Sequence, residues 1–112
     1  MAAQGGNFYC NSCTMTFTST TFLDSMANEG GNFYLVNTAS LSLNSVTMNH
    51  GRAYSKGGSI YTTGTGVSPI IFSNCAANVE YFWTNSNGGF MYFDNPGSTF
   101  SSTNCNYNHM YA

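Results

Sequence analysis

The pentapeptide GGNFY occupies residues 5–9 and recurs at residues 30–34. GGSIY follows at 57–61 and GGFMY at 88–92, so Gly-Gly, a variable residue, a bulky apolar residue and Tyr recur at spacings of 25, 27 and 31 residues. A second marker keeps nearly the same beat. Segments beginning at Phe17, Leu43, Phe72 and Phe100 align without gaps, with starts 26, 29 and 28 residues apart. Two independent markers with one period define an internal repeat, the signature of a solenoid or a related array.

The content of each repeat is strand and corner. TMTFTSTTF from Thr14 and SLSLNSVTM from Ser40 alternate polar and apolar residues, which is the period of a strand with one buried face. Thr, Phe, Tyr, Val and Ile favour strands, and uncharged runs of Asn, Ser, Thr and Gly disfavour helices. Gly-Gly, TTGTGVSP and DNPGS supply turn chemistry. A repeat of roughly 27 residues with two or three short strands matches one coil of a parallel β-helix, with coils about 4.8 Å apart. The expected fold is therefore all-β, a parallel β-solenoid of about four coils starting near residues 5, 30, 57 and 88.

Stacked coils place equivalent residues in columns. Phe8, Phe33, Ile60 and Met91 are expected in one column, with Tyr9, Tyr34, Tyr61 and Tyr92 beside it. The repeat corners are Gly5, Gly6, Gly30, Gly31, Gly57, Gly58, Gly88 and Gly89, and the second glycine of each pair is expected to make the turn where a Cβ would crowd it. Columns also explain the charge. Only 5% of residues are charged, against about 25% in typical domains, and like charges stacked on successive rungs would repel.

Residues 1–112 read as a single solenoid segment. MAAQGG at 1–6 parallels MANEGG at 26–31, so the chain is expected to start partway through a coil. It ends at HMYA, where another Gly-Gly pair is due. Uncapped ends expose unpaired N–H and C=O groups. The segment is thus expected either to belong to a longer array or to stack end to end, and in both cases to build a rod.

Composition removes several function classes. With Arg52 and Lys56 as the only fixed cations and a net charge of -2, the chain cannot build a basic patch for nucleic acid. No apolar run approaches the ~18 residues of a membrane-spanning helix, so no membrane insertion is expected in this segment.

GGNFY, GGSIY and GGFMY, each followed by an alternating strand, resemble the Gly-Gly-Ala-Ile-Tyr type of repeat. That repeat is found in pectin-lyase-like right-handed β-helices, including polymorphic outer-membrane proteins of chlamydiae and large protist surface proteins. The resemblance implies a secreted or cell-surface protein used for adhesion or extracellular construction.

Candidates for chemistry are few. Cys10 and Cys13 have the spacing of a redox or zinc half-site, but no second pair completes a zinc site and no αβ context surrounds it, so a local disulfide or two small buried residues is the expectation. Cys75 and Cys105 fall in adjacent coils, two places apart in the alignment, which allows a cross-rung disulfide in an oxidising compartment. His50 and His109 have no carboxylate or Cys close in sequence and are expected at exposed corners. Asp24, Glu29, Glu80 and Asp94 are scattered, whereas glycoside hydrolysis needs paired acids at a set separation. No catalytic residue, metal or cofactor is assigned and no enzyme activity is expected. Thr14 to Thr21 raises ice binding, but later coils do not repeat the Thr strictly.

Few charges and many aromatics on a β-rod favour lateral sticking unless O-linked glycan or neighbouring protofilaments cover the surface. The sequence has no Asn-x-Ser/Thr acceptor, only Asn-x-Cys at 11–13. The expected function is structural: a β-helical segment of an extracellular fibre or long surface protein, assembling by rung-on-rung self-association or by continuation of the same chain. The alternative is an adhesin whose outward Tyr residues stack on sugars. An amyloid-like fibre and a polysaccharide-acting enzyme stand further off.

Overall fold

The computed structural model describes the backbone of residues 2–74, 79–84 and 88–111, and within them the side chains of residues 4–74 and 88–107. After β1 (Ala2–Gln4), strands come in triplets. The first is β2 (Phe8–Asn11), β3 (Thr14–Thr18) and β4 (Thr21–Glu29), and the second is β5 (Phe33–Val36), β6 (Ser40–Asn44) and β7 (Thr47–Lys56). The third is β8 (Ile60–Thr63), β9 (Ser68–Ser73) and β10 (Val79–Thr84), and the last is β11 (Met91–Phe93), β12 (Ser98–Thr103) and β13 (Tyr107–Tyr111). Among the described residues no helix is present.

Each member of a triplet joins a different parallel sheet, in the orders β1-β4-β7-β10-β13, β11-β8-β5-β2 and β12-β9-β6-β3. This is the parallel β-solenoid expected from the repeat, but wound through about three turns rather than about four coils. The smallest extent of the molecule, 19 Å, is about the height of four rungs at ~4.8 Å each. A single chain is thus a slab, wider than it is tall.

Alternation places Met15, Phe17, Leu41, Leu43, Ile70 and Phe72 inward, with Thr14, Thr16 and Thr18 outward. The middle of the core is aliphatic: Leu35, Leu41, Leu43, Val46, Met48, Ile60 and Ile70 are all essentially inaccessible. Each such side chain stabilises the fold by about 1.5–3 kcal/mol when fully buried. Aromatic clusters close the two ends of this core. At one, the Phe8 ring stacks on Phe33 at 5.4 Å and lies 4.9 Å from Phe17, which meets Phe22 edge-on at 5.2 Å. At the other, Phe72 meets Phe90 at 5.9 Å and Phe100 at 5.3 Å.

The second repeat marker needs one correction. Phe17, Leu43 and Phe72 share a column, but Phe100 pairs with Ile70, and Ser102 lies opposite Phe72. A slip of two residues leaves every side chain on its own face, so alternation alone cannot distinguish the two registers. Phe100 still reaches Phe72 diagonally, ring edge to ring face.

β4 and β7 break strict alternation. Asp24 and His50 adopt left-handed backbone angles, φ 53° and 60°. The break turns both Phe22 and Ser25 inward, although they are three residues apart. Left-handed residues recur at the other corners too: Ser12 with Asn37, and Ser19, Ser45, Asn74 and Asn104 in another. Asn is among the few non-glycine residues that tolerate this conformation readily.

Candidate functional site

The functional surface of a solenoid is its set of columns, and every column here starts from the Gly-Gly corner. Gly30 carries φ +64°, and Gly5, Gly57 and Gly88 match it within a few degrees. The first glycine therefore makes the turn, not the second. The second glycine answers a different demand. A Cβ on Gly31 would lie 2.1 Å from the carbonyl oxygen of Gly58 on the next rung, and one on Gly6 would lie 2.2 Å from that of Gly31. The two glycines thus divide the work between conformation and inter-rung contact. The corner is closed by rung-to-rung bonds, Gly30 N–H to Lys56 C=O at 3.0 Å and Gly31 N–H to Gly57 C=O at 3.1 Å. Gly58 N–H continues the series to Gly88 C=O at 3.1 Å; Gly89 follows Gly88 in the last corner.

The residue after the Gly-Gly pair, variable in sequence, is buried in three of the four corners, Asn32, Ser59 and Phe90, and exposed in the first, Asn7. Asn7 donates to Asn32, and Asn32 Nδ2 donates to Ser59 Oγ at 3.0 Å. Sequence reading passed over this ladder because its members differ in type. The corners at Asn44-Ser45, Ser73-Asn74 and Thr103-Asn104 hold a second, exposed ladder, in which Asn74 donates to Asn44 at 3.2 Å and Asn104 to Asn74 at 3.4 Å.

Phe8, Phe33, Ile60 and Met91 pair in succession across β2, β5, β8 and β11. One residue on, Tyr9, Tyr34, Tyr61 and Tyr92 pair in the same strands, with ring centroids 5.3, 5.1 and 5.9 Å apart. The rings cover one another: Tyr34 and Tyr61 are only 8% and 4% exposed, while Tyr9 at the end of the column is 56% exposed. Ring faces used in this way are not open to stack on sugars, so the outward tyrosines of the adhesin alternative are not a row of open platforms.

Three charged residues flank this column. Lys56 Nζ lies 5.6 Å from the Tyr61 ring centroid and 5.0 Å from that of Tyr92. The Tyr61 hydroxyl donates to Asp94 Oδ2 at 3.0 Å. Burial, followed by that bond, pushes the Tyr61 hydroxyl up to about 12. Burial and the negative charge of Glu29 raise Tyr34 in the same direction.

Two of the acids have a basic residue beside them on the next rung. Glu29 pairs with Lys56 just past a bulge between Ala27 and Glu29, placing opposite charges on successive rungs. His50 does have a carboxylate companion: its Nδ1 lies 3.7 Å from Asp24 Oδ1 across the β4–β7 step, with both side chains largely exposed. Beside them an open groove of about 230 Å³ is lined by Asp24, Ser25, Met26, His50, Gly51 and Arg52. Arg52 also lies over the Tyr54 ring, at 4.6 Å. Among the described residues no group of three or more His, Cys, Asp or Glu is gathered in one place. His109 lies in β13 and Glu80 in β10, with side chains outside the described residues.

Cys10 and Cys13 form a disulfide with Cα atoms 5.7 Å apart, bridging the corner between β2 and β3. Cys105 packs half-buried against the core. The expected bridge to Cys75 lies outside the described residues.

No family model, curated protein or solved structure matches this chain.

Proposed function

We propose that this chain is a structural β-helical segment of an extracellular fibre or long cell-surface protein, built by adding rungs of the same repeat to its open ends. One observation carries the reading: columns run in register through every triplet, yet the outermost rungs leave core side chains unburied. Phe8, Met15 and Phe17 are half-buried at one end. At the other, Met91 and Tyr107 are half-buried and Phe100 is 36% exposed. Their counterparts one rung inward, Phe33, Leu41, Leu43 and Ile60, are fully buried. A further rung at each end would bury these groups and pair the open strand edges.

The role is mechanical. Parallel ladders and stacked side chains stiffen the rod along its axis, and an outward face nearly free of charge contacts neighbouring rods or carries O-linked glycan. The Cys10–Cys13 disulfide supports an oxidising, extracytoplasmic setting. The resemblance of the Gly-Gly-x-apolar-Tyr corners to pectin-lyase-like surface repeats supports the same location. Antibodies raised against the chain should label unpermeabilised native cells or material shed from them. Labelling that requires permeabilisation would overturn the extracellular assignment.

A further inference from the structure

We infer that Tyr34 and Tyr61 form an oxidative cross-linking site, at which a dityrosine bond staples the second and third strand triplets to one another. The setting rests on the rod reading above: hydrogen peroxide and a haem peroxidase outside the cell supply the oxidising power.

Each phenol gives up one electron and one proton, and the two phenoxyl radicals join through a carbon–carbon bond between ring positions ortho to the hydroxyls. The two ortho hydrogens then move to oxygen and restore both phenols. One hydrogen peroxide takes up the two electrons and two protons and leaves as two waters.

Geometry selects this pair from the tyrosine column. Tyr9–Tyr34 and Tyr61–Tyr92 lie nearly parallel, at 9° and 11°, whereas Tyr34 and Tyr61 are tilted by 35° and have the shortest spacing, 5.1 Å. Parallel stacked rings hold their ortho carbons face to face, where a bond in the ring plane cannot form. Tilt swings one ring edge toward the other, the motion that the new bond requires. Tyr34 and Tyr61 stand directly opposite in the β5–β8 ladder, so the bond closes without sliding the rungs.

The surrounding charges select the same pair. The Tyr61 hydroxyl donates to Asp94 Oδ2 at 3.0 Å, within reach for the carboxylate to take the proton as the electron leaves. Lys56 Nζ lies closer to the Tyr92 ring, at 5.0 Å, than to Tyr61, at 5.6 Å. A cation held against a ring face is attracted by its electrons and so resists their removal. Tyr34 instead feels the negative charge of Glu29. Of the two neighbours of Tyr61, Tyr34 therefore yields its electron more readily.

Burial favours coupling within the chain. Tyr34 and Tyr61 are only 8% and 4% exposed, which keeps foreign phenols away from both rings. The oxidant need not touch them either. An electron vacancy made at half-buried Tyr92 passes down the stack, away from Lys56, to Tyr61 and Tyr34.

The test treats the monomeric chain, isolated by size exclusion, with a haem peroxidase and hydrogen peroxide, then reduces its disulfides and digests it with trypsin. Arg52 and Lys56 are the only Arg and Lys, so the fragments are 1–52, 53–56 and 57–112. Bonds between Tyr9 and Tyr34 or between Tyr61 and Tyr92 stay within one fragment. Among column neighbours only Tyr34–Tyr61 joins 1–52 to 57–112. The expected product is that joined species, two hydrogens lighter than its parts, with tandem mass spectra placing the bond at these two tyrosines. Tyr34→Phe or Tyr61→Phe keeps the ring, removes the phenol and should abolish it, while Tyr54→Phe, outside the column, should leave it. Asp94→Asn should lower the yield severalfold. A bond that closes a loop between two rungs restricts the unfolded chain, so the cross-linked fraction should melt at a higher temperature than the untreated chain.

Dityrosine confined to single fragments, or a joined species that persists in Tyr34→Phe, would overturn the pair. A folded chain that forms no dityrosine would overturn the site, and a lower melting temperature would overturn its stapling role. None of these results bears on the extracellular rod reading, which fails instead if surface labelling or filament imaging fails.

Discussion

Gly31→Ala should destabilise the chain by about 2–3 kcal/mol, although Gly31 does not occupy the left-handed region. At a position the larger residue can occupy without strain, Gly→Ala stabilises by roughly 0.4–1 kcal/mol, so even the sign is informative. The new Cβ would lie 2.1 Å from Gly58 O, with Arg52 O and N at 3.0 and 3.1 Å. Side-chain Cβ atoms essentially never approach a heavy atom closer than 3.0 Å, so the two rungs must part by about 0.9 Å. Three bonds hold that corner: Gly30 N–H to Lys56 C=O, Gly31 N–H to Gly57 C=O and Asn32 N–H to Ser59 C=O, at 3.0, 3.1 and 2.8 Å. The opening stretches all three past hydrogen-bond distance. At about 1 kcal/mol each this gives roughly 3 kcal/mol, consistent with the ~1–3 kcal/mol of overpacked sites. Urea unfolding followed by far-UV circular dichroism should show the midpoint falling by about 1–2 M at the urea sensitivity of small proteins. Thr16→Ala, on the exposed outer face, should change stability by less than about 0.5 kcal/mol. A midpoint for Gly31→Ala equal to or above that of the parent chain would refute the claim that the glycine pair fixes the rung spacing.

Met48→Ala and Met15→Ala compare one residue type on an inner and an outer rung. Met48 is fully buried and should lose about 2–5 kcal/mol, and half-buried Met15 clearly less; equal losses by denaturant titration would contradict open end rungs. Asn32→Leu removes the partner of buried Ser59 as well as that of exposed Asn7 and should cost about 1–3 kcal/mol in a thermal melt, through the Ser59 hydroxyl it strands; a neutral result would remove the inner ladder from the account. In a spectrophotometric alkaline titration of the folded chain, Tyr61 and Tyr34 should ionise above the ordinary tyrosine range of about 10, Tyr61 near pH 12. Unfolded tyrosines ionise near pH ~10, so the folded state gains from these two groups below pH ~10 and loses that stability as pH rises toward 12. Asp94→Asn, which keeps an acceptor but removes the charge, should bring the Tyr61 step to lower pH, and no change would sever the link between the pair.

Much of the fold was legible because a solenoid repeats its constraints. Gly-Gly marks a backbone angle and an inter-rung contact that both recur on each turn, and the Tyr after the apolar residue always faces out. Alternation in β3 and β6 assigned the inward residues directly. Legibility ended where the constraint was one of register. The two-residue slip at Phe100 preserves facing, so no pattern of polar and apolar residues reveals it. The left-handed break at Asp24 and His50 hid the pairing of these residues, because two side chains that meet across a rung lie 26 positions apart in sequence. The Asn7–Asn32–Ser59 ladder was obscured by its mixed composition. Sequence showed the tyrosines as outward; only the ring spacings show that they cover one another.

The most direct test is cryo-electron microscopy of the native material. Continuous filaments with a rung spacing of ~4.8 Å along the axis, and columns running unbroken through successive repeats, are the predicted result. Compact particles with closed, capped ends, or strands running along the filament axis instead of across it, would contradict the account.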